Sequence, residues 1–187
     1  MSVCKRLFVG IPIPKAICDA LCSIDLPQPS FRPVASRNMH LTLKFIGEIS
    51  PAFTANIVAA LRPIVFPPFS LTVQGVGTFP ARGTPRIVWA GIQPDNPPLF
   101  QLQQQVEEAL CQIGIAPENR RYIPHITLAR CRNVSSNQVK ILTQQHQDFA
   151  LPSFSTECFI LYRSEYQRQS SSQGNLYIAE ETFALVA

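Results

Sequence analysis

Two of the chain's three histidines open nearly the same tetrapeptide, His40-Leu-Thr-Leu43 and His125-Ile-Thr-Leu128. The offset from 40 to 125 is 85 residues, close to half of the 187-residue chain. On a β-strand, residues i and i+2 project to the same face. His40 and Thr42 therefore project together, with Leu41 and Leu43 turned the other way, and His125 and Thr127 stand in the same relation to Ile126 and Leu128. Each tetrapeptide presents one imidazole and one hydroxyl and anchors itself with two apolar side chains. A repeat packed with pseudo-twofold symmetry brings the two polar faces together across a cleft.

Two imidazoles and two hydroxyls around a small volume suit displacement at phosphorus. Histidine titrates at about pH 6.5 when unperturbed, so it can serve as acid or base near neutrality. In-line displacement needs a base at the entering oxygen and an acid at the leaving oxygen, on opposite sides, and two symmetry-related histidines supply both. Threonine hydroxyls can donate to the non-bridging oxygens as charge develops there. Arg130 lies five residues beyond His125. That odd offset aims it at the other face of a straight strand. A strand end or bulge would bring it to the cleft, where it could hold a phosphate by charge. A metal site is the rival reading, but two histidines without nearby Asp, Glu or Cys are too few ligands for a typical zinc centre. We expect neither metal nor cofactor. His146, in Gln144-Gln-His-Gln147, reads as a solvated helix residue. Phe45, Trp89 and Tyr122 could stack on a base, but they read as core residues.

The elements that must carry these residues follow from apolar patterning and from the prolines and glycines. We expect strands over 7–11, 40–46, 69–76, 86–92, 125–129, 153–162 and 176–185. Helices are expected over 14–23, from Pro51 to about Leu61 behind an Ser50 cap, over 97–113, and from a Ser135 or Ser136 cap to about Gln147. Gly114 is placed to end the third helix. Residues 25–38 read as a loop, and 167–175 as an exposed, mobile hairpin loop. The order β-α-β-α-β-β-α-β-α-β-β joins several strands directly, which indicates an α+β fold with antiparallel sheets. It is also nearly two copies of one pattern.

Composition sets the outer bounds. Hydrophobic residues make up 46% and charged residues 15% of the chain, which excludes a disordered segment. The length suits one domain with a real core, here a bilobal unit over 1–187. Sixteen Lys and Arg against twelve Asp and Glu leave a net charge of +4, with no basic block. A polyanion would then be met at a local site rather than along a broad groove. Cys4, Cys18, Cys22, Cys111, Cys131 and Cys158 are scattered, apart from the pair one helical turn apart, and read as buried or half-buried thiols in a reducing compartment. Pro12 and Pro14 interrupt the apolar start too early for a signal peptide, and no stretch reaches the roughly 20 residues of a membrane span. We expect a soluble, cytoplasmic monomer.

The paired motifs, with Arg6-Leu-Phe-Val-Gly-Ile-Pro-Ile-Pro14 before the first and Pro124-His-Ile-Thr-Leu-Ala-Arg130 at the second, resemble the two-histidine (2H) phosphoesterases. Within that superfamily the chain is most similar to the RNA 2′,3′-cyclic phosphodiesterases, also called the 2′-5′ RNA ligase family. Phe45-Ile-Gly-Glu48 and Arg86-Ile-Val-Trp-Ala-Gly91 fit the same branch. The resemblance implies a bilobal pseudo-twofold fold, with two antiparallel sheets flanking a central cleft and helices outside. It implies metal-independent hydrolysis of RNA 2′,3′-cyclic phosphate ends to 2′-phosphates. His40 would be the general acid and His125 the general base, with Thr42, Thr127 and Arg130 on the phosphate. That acid and base order comes from the family alone. A ligase joining tRNA halves and a non-catalytic RNA-end-binding module are the alternatives.

Overall fold

A computed structural model describes residues 4–26, 29–81, 83–167 and 174–187. In chain order the elements are β1 (Lys5–Pro12), α1 (Lys15–Cys22), β2 (Phe31–Pro33), a 3-10 turn (Ser36–Asn38), β3 (His40–Ile49), α2 (Pro51–Leu61), β4 (Phe69–Leu71), β5 (Val73–Phe79), β6 (Ile87–Ile92), α3 (Pro97–Gln112), β7 (His125–Cys131), α4 (Ser136–Gln145), β8 (Phe154–Thr156), β9 (Cys158–Gln167) and β10 (Gly174–Ala184). The class is α+β, as expected.

The main sheet runs β10-β9-β1-β3-β7-β6-β5, and the short β2 adds to β7. Every neighbouring pair is antiparallel. β3 and β7, the two histidine strands, meet at the centre through the pair Leu41 and Ile126. The two sheets expected on either side of a cleft are therefore the halves of one continuous sheet. The reason is physical: the inner strand of each half would otherwise expose an unpaired edge, and pairing with its counterpart satisfies that edge. β4 and β8 form a separate two-stranded ribbon.

One apolar core backs the sheet. Leu41, Leu43, Ile126 and Leu128 lie in it with Ile57 and Leu61 of α2 and Leu99, Leu102, Val106 and Leu110 of α3. Each such side chain contributes roughly 1.5–3 kcal/mol by leaving water. The α3 residues recur at helical spacing and are all fully buried. The helix starts at Asn96, whose side chain accepts from the Leu99 amide, and it stops where Gly114 takes φ +88°. The expected cap on α4 is present as a reciprocal capping box between Ser135 and Gln138. Ser50 sits at the N-cap of α2 with Pro51 behind it, but its side chain makes no capping bond.

Four expectations need correction. Residues 25–38 are not wholly loop, because Phe31–Pro33 pairs with β7 and Ser36–Asn38 turns into β3. The runs 69–76 and 153–162 are each split in two, since β4 and β8 leave the main sheet to pair with each other. Not all six cysteines are buried or half-buried: Cys4 and Cys22 are exposed, the latter one helical turn from the buried Cys18. Most of the 167–175 loop lies outside the described residues. No helix among the described residues is long and apolar enough to cross a membrane.

Candidate active site

The antiparallel register through Leu41 and Ile126 fixes the arrangement of the two motifs. Continued by one residue each way, it sets His40 beside Thr127 and Thr42 beside His125. All four side chains lie on the face away from the core and are half-buried. The imidazoles are diagonal neighbours across the seam, a relationship that a regular sheet spaces at about 7–8 Å. Neither threonine hydroxyl makes a hydrogen bond among the described residues.

Each histidine is held the same way. His40 Nδ1 lies 2.7 Å from the Asn38 carbonyl, and His125 Nδ1 lies 2.8 Å from the Ile123 carbonyl. A carbonyl can only accept, so each Nδ1 carries the proton and each Nε2 is left free for chemistry. Aromatic rings press on both imidazoles. Phe8 and Tyr177 lie 4.7 and 4.9 Å from His40, centroid to centroid, while Phe79 and Trp89 lie 4.9 and 6.1 Å from His125. Burial lowers the pKa of both histidines; at His40 the bond to Asn38 opposes this and the charge of His125 adds to it.

Both histidine strands carry a bulge, and the two bulges occupy equivalent places in the repeat. β1 pairs Val9 with Lys44 and Gly10 with Thr42, so Leu43 is the surplus residue of β3. β6 pairs Val88 with Ala129 and Trp89 with Thr127, so Leu128 is the surplus residue of β7. A bulge reverses the alternation beyond it. It turns Arg130 onto the face of Thr127, the condition under which that residue could serve the cleft. It likewise turns Phe45 onto the face of Thr42 and sends Lys44 into the core, where it is 4% exposed.

Phe45 and Trp89 depart from the core reading, whereas Tyr122 keeps it. Phe45 is 49% exposed and stacks on Phe8. Trp89 lies over Gly77, where an added Cβ would meet its ring at 2.3 Å, so the glycine makes room for the indole next to His125. Tyr122 packs against the core, and its hydroxyl donates to the Thr42 carbonyl at 3.0 Å. His146 stands at the C-cap of α4, with its ring against Phe149. Sequence reasoning missed Arg32, which stands opposite Arg130 in the β2 and β7 pairing. Three residues of strand without periodicity gave no signal for it. Among the described residues, no cluster of three or more His, Cys, Asp or Glu side chains is placed to hold a metal ion.

Two His-x-Thr pairs set on one face of a duplicated antiparallel sheet are the hallmark of the two-histidine phosphoesterases. The chain belongs to the LigT-like phosphoesterase family, whose model matches residues 13–89 and 92–171, one motif in each stretch. It is 32% identical over 160 residues to an RNA 2′,3′-cyclic phosphodiesterase of Aeropyrum pernix, covering 85% of this chain and 89% of the relative. It is 33% identical over 133 residues to the Escherichia coli RNA 2′,3′-cyclic phosphodiesterase, covering 70% and 74%. The crystal structure of E. coli LigT in apo form superposes with a TM-score of 0.79 at 27% identity over 100% of both chains. That of E. coli LigT complexed with 3′-AMP gives 0.78, covering 98% and 99%.

Proposed function

We propose that this protein hydrolyses 2′,3′-cyclic phosphate ends of RNA to 2′-phosphomonoesters by acid and base catalysis between His40 and His125. Water attacks phosphorus while His125 Nε2 takes its proton. The bond from phosphorus to O3′ breaks as His40 Nε2 delivers a proton to the leaving oxygen. The product carries a 2′-phosphate and a 3′-hydroxyl, and the two imidazoles reset by exchanging protons with solvent. Thr42 and Thr127 donate to the non-bridging oxygens, where negative charge grows. Arg130 holds substrate phosphate by charge.

The observation that carries this reading is the matched pair of Nδ1–carbonyl bonds, which free both Nε2 atoms beside two hydroxyls that have no partner among the described residues. All four groups come from one chain, which supports a single bilobal domain acting as a monomer. Six free cysteines support a reducing compartment such as the cytoplasm.

The test is an RNA oligomer ending in a 2′,3′-cyclic phosphate, incubated in excess chelator, with the product end mapped. A 2′-phosphate is expected, and His40→Ala or His125→Ala should each cost at least about 10²-fold in rate. Near-normal turnover by either variant would remove the mechanism. A strand with a 5′-hydroxyl added to the mixture separates hydrolysis from sealing. Sealing faster than hydrolysis would reassign the enzyme to ligation, and binding without turnover would make it a module for RNA ends.

A further inference from the structure

We propose that Asn38 is a positioning residue for His40: its side-chain amide fastens to strand β10 the backbone carbonyl that holds the imidazole. The general acid is thereby set by a bond between residues 137 positions apart in the chain. This rests on the function proposed above and adds a residue to the same site.

Asn38 ends the 3-10 turn Ser36–Asn38, two residues before His40, and its carbonyl accepts from His40 Nδ1 at 2.7 Å. A single 3-10 turn is weak by itself, and this one has no side-chain cap. Its backbone bonds are local, from the Asn38 amide to the Ala35 carbonyl at 2.8 Å and from the Met39 amide to the Ser36 carbonyl at 3.0 Å. The bond that reaches outside belongs to the Asn38 side chain, whose Nδ2 donates to the Asn175 carbonyl of β10 at 2.6 Å. A carbonyl can only accept, so the amide has one orientation here. Its Oδ1 is buried and has no partner among the described residues, which leaves that donation as the work of the group. Two residues further along β10, the Tyr177 ring stands edge-on to the imidazole, with centroids 4.9 Å apart. One strand therefore grips both the ring of His40 and the carbonyl behind it.

The other half of the repeat lacks this tie. Ile123 stands two residues before His125, and its carbonyl also accepts from the imidazole. Its side chain is apolar and 44% exposed, so it can donate to nothing. The rings beside His125, Phe79 and Trp89, come from β5 and β6, and β6 is bonded directly to β7. β10 is separated from β3 by β9 and β1, so no ladder bond joins it to the strand of His40. Asn38 bridges that gap. The difference fits the two tasks. A bond from Nδ1 to a carbonyl favours the charged imidazole, the form a general acid must hold before it gives up its proton. It also stops the ring from turning, so that Nε2 stays aimed at the leaving oxygen.

The experiment follows the histidine ring nitrogens by NMR against pH in the wild type and in Asn38→Ala, beside hydrolysis of an RNA oligomer ending in a 2′,3′-cyclic phosphate. Neutral His40 in the wild type should be the Nδ1–H tautomer. In Asn38→Ala it should become a mixture with the Nε2–H form, and its pKa should fall further, because the bond that opposes the effect of burial is weakened. The titratable groups near His40 among the described residues are Tyr162 of β9, Tyr177 of β10 and His125 of β7. The substitution alters none of them, and the His125 signals should stay in place. The optimum of kcat/KM lies midway between the two histidine pKa values, whichever group each belongs to, so it should move to lower pH. The fall in kcat should be about 5- to 10-fold, the worth of one hydrogen bond, with KM changed by less than about twofold. Asn38→Leu fills the same space without the donor; it should behave alike, and it carries the readouts if the smaller variant does not fold. A folded variant whose His40 signals and pH optimum match the wild type overturns the proposal, since Asn38 would then serve stability alone. A wild-type His40 found as the Nε2–H tautomer overturns it without any variant. The ring signals need no turnover. Absence of hydrolysis by the wild type therefore removes the function above, while the tautomer still decides whether Asn38 positions His40.

Discussion

The hydroxyl of Tyr122 donates to the backbone carbonyl of Thr42, and that bond crosses from the second half of the repeat to the first. It links the segment entering His125 to the strand that carries His40. Burial pushes the phenol pKa far above its ordinary value, so the group remains a donor throughout the working range. Tyr122→Phe keeps the ring and removes the bond, leaving a carbonyl unpartnered. The expected loss of stability is about 1–2 kcal/mol, read from a urea melt. Because the seam beside the motifs loosens, kcat should fall severalfold while KM changes little. An unchanged kcat would show that the bond serves stability alone.

The lowered pKa values of the two histidines set the pH behaviour. The productive free enzyme carries one proton shared between two groups that both titrate below about 6.5. The optimum of kcat/KM should therefore lie on the acid side of 6.5. Bound phosphate favours the charged imidazole, so the optimum of kcat should move to higher pH. Stability follows the same shifts. Each histidine takes a proton more readily unfolded than folded, so its contribution is complete above the ordinary histidine pKa and is lost as pH falls through the folded value. Urea melts from pH 7.5 to 5 should show declining stability, and His40→Gln should flatten the decline.

Lys44 makes a buried ionic bond on the core side of β3. Its ammonium is almost fully buried, 2.7 Å from Glu107 and 2.8 Å from the Ala116 carbonyl. Glu107 also accepts from the Glu118 amide at 2.7 Å, so the pair ties β3 to α3 and to the segment leading towards β7. Glu107→Ala strands a buried charge and should cost about 3 kcal/mol. Replacing both partners, with Lys44→Met and Glu107→Leu, should recover much of that loss. A double variant no more stable than the single one would mean that the chain segments, not the charge, dominate.

Much of the site could be read from the residues. The repeated tetrapeptide identified both polar pairs, and the two-residue period gave their common face. What escaped was set by pairing between distant strands. Simple alternation in His40-Leu-Thr-Leu-Lys-Phe45 would put Lys44 with the histidine and Phe45 in the core, and the bulge at Leu43 does the reverse. No glycine marks either bulge, so Arg130 could be assigned only conditionally. β2 was invisible because Phe31-Arg-Pro33 has no period, and its conformation comes from β7 alone. The divided runs at Thr72 and Glu157 are likewise decided by which partner each end finds.

The shared bulge also bears on how a duplicated protein acquires direction. An ancestral half-length unit that already had the irregularity would have assembled as a dimer, with the same side chain at both ends of the groove. Such a site is a palindrome, unable to tell which imidazole faces the entering oxygen. In the present chain the two copies of that position have become Phe45 and Arg130. One end of the site is aromatic and the other cationic, so the two halves no longer offer a ligand the same contacts.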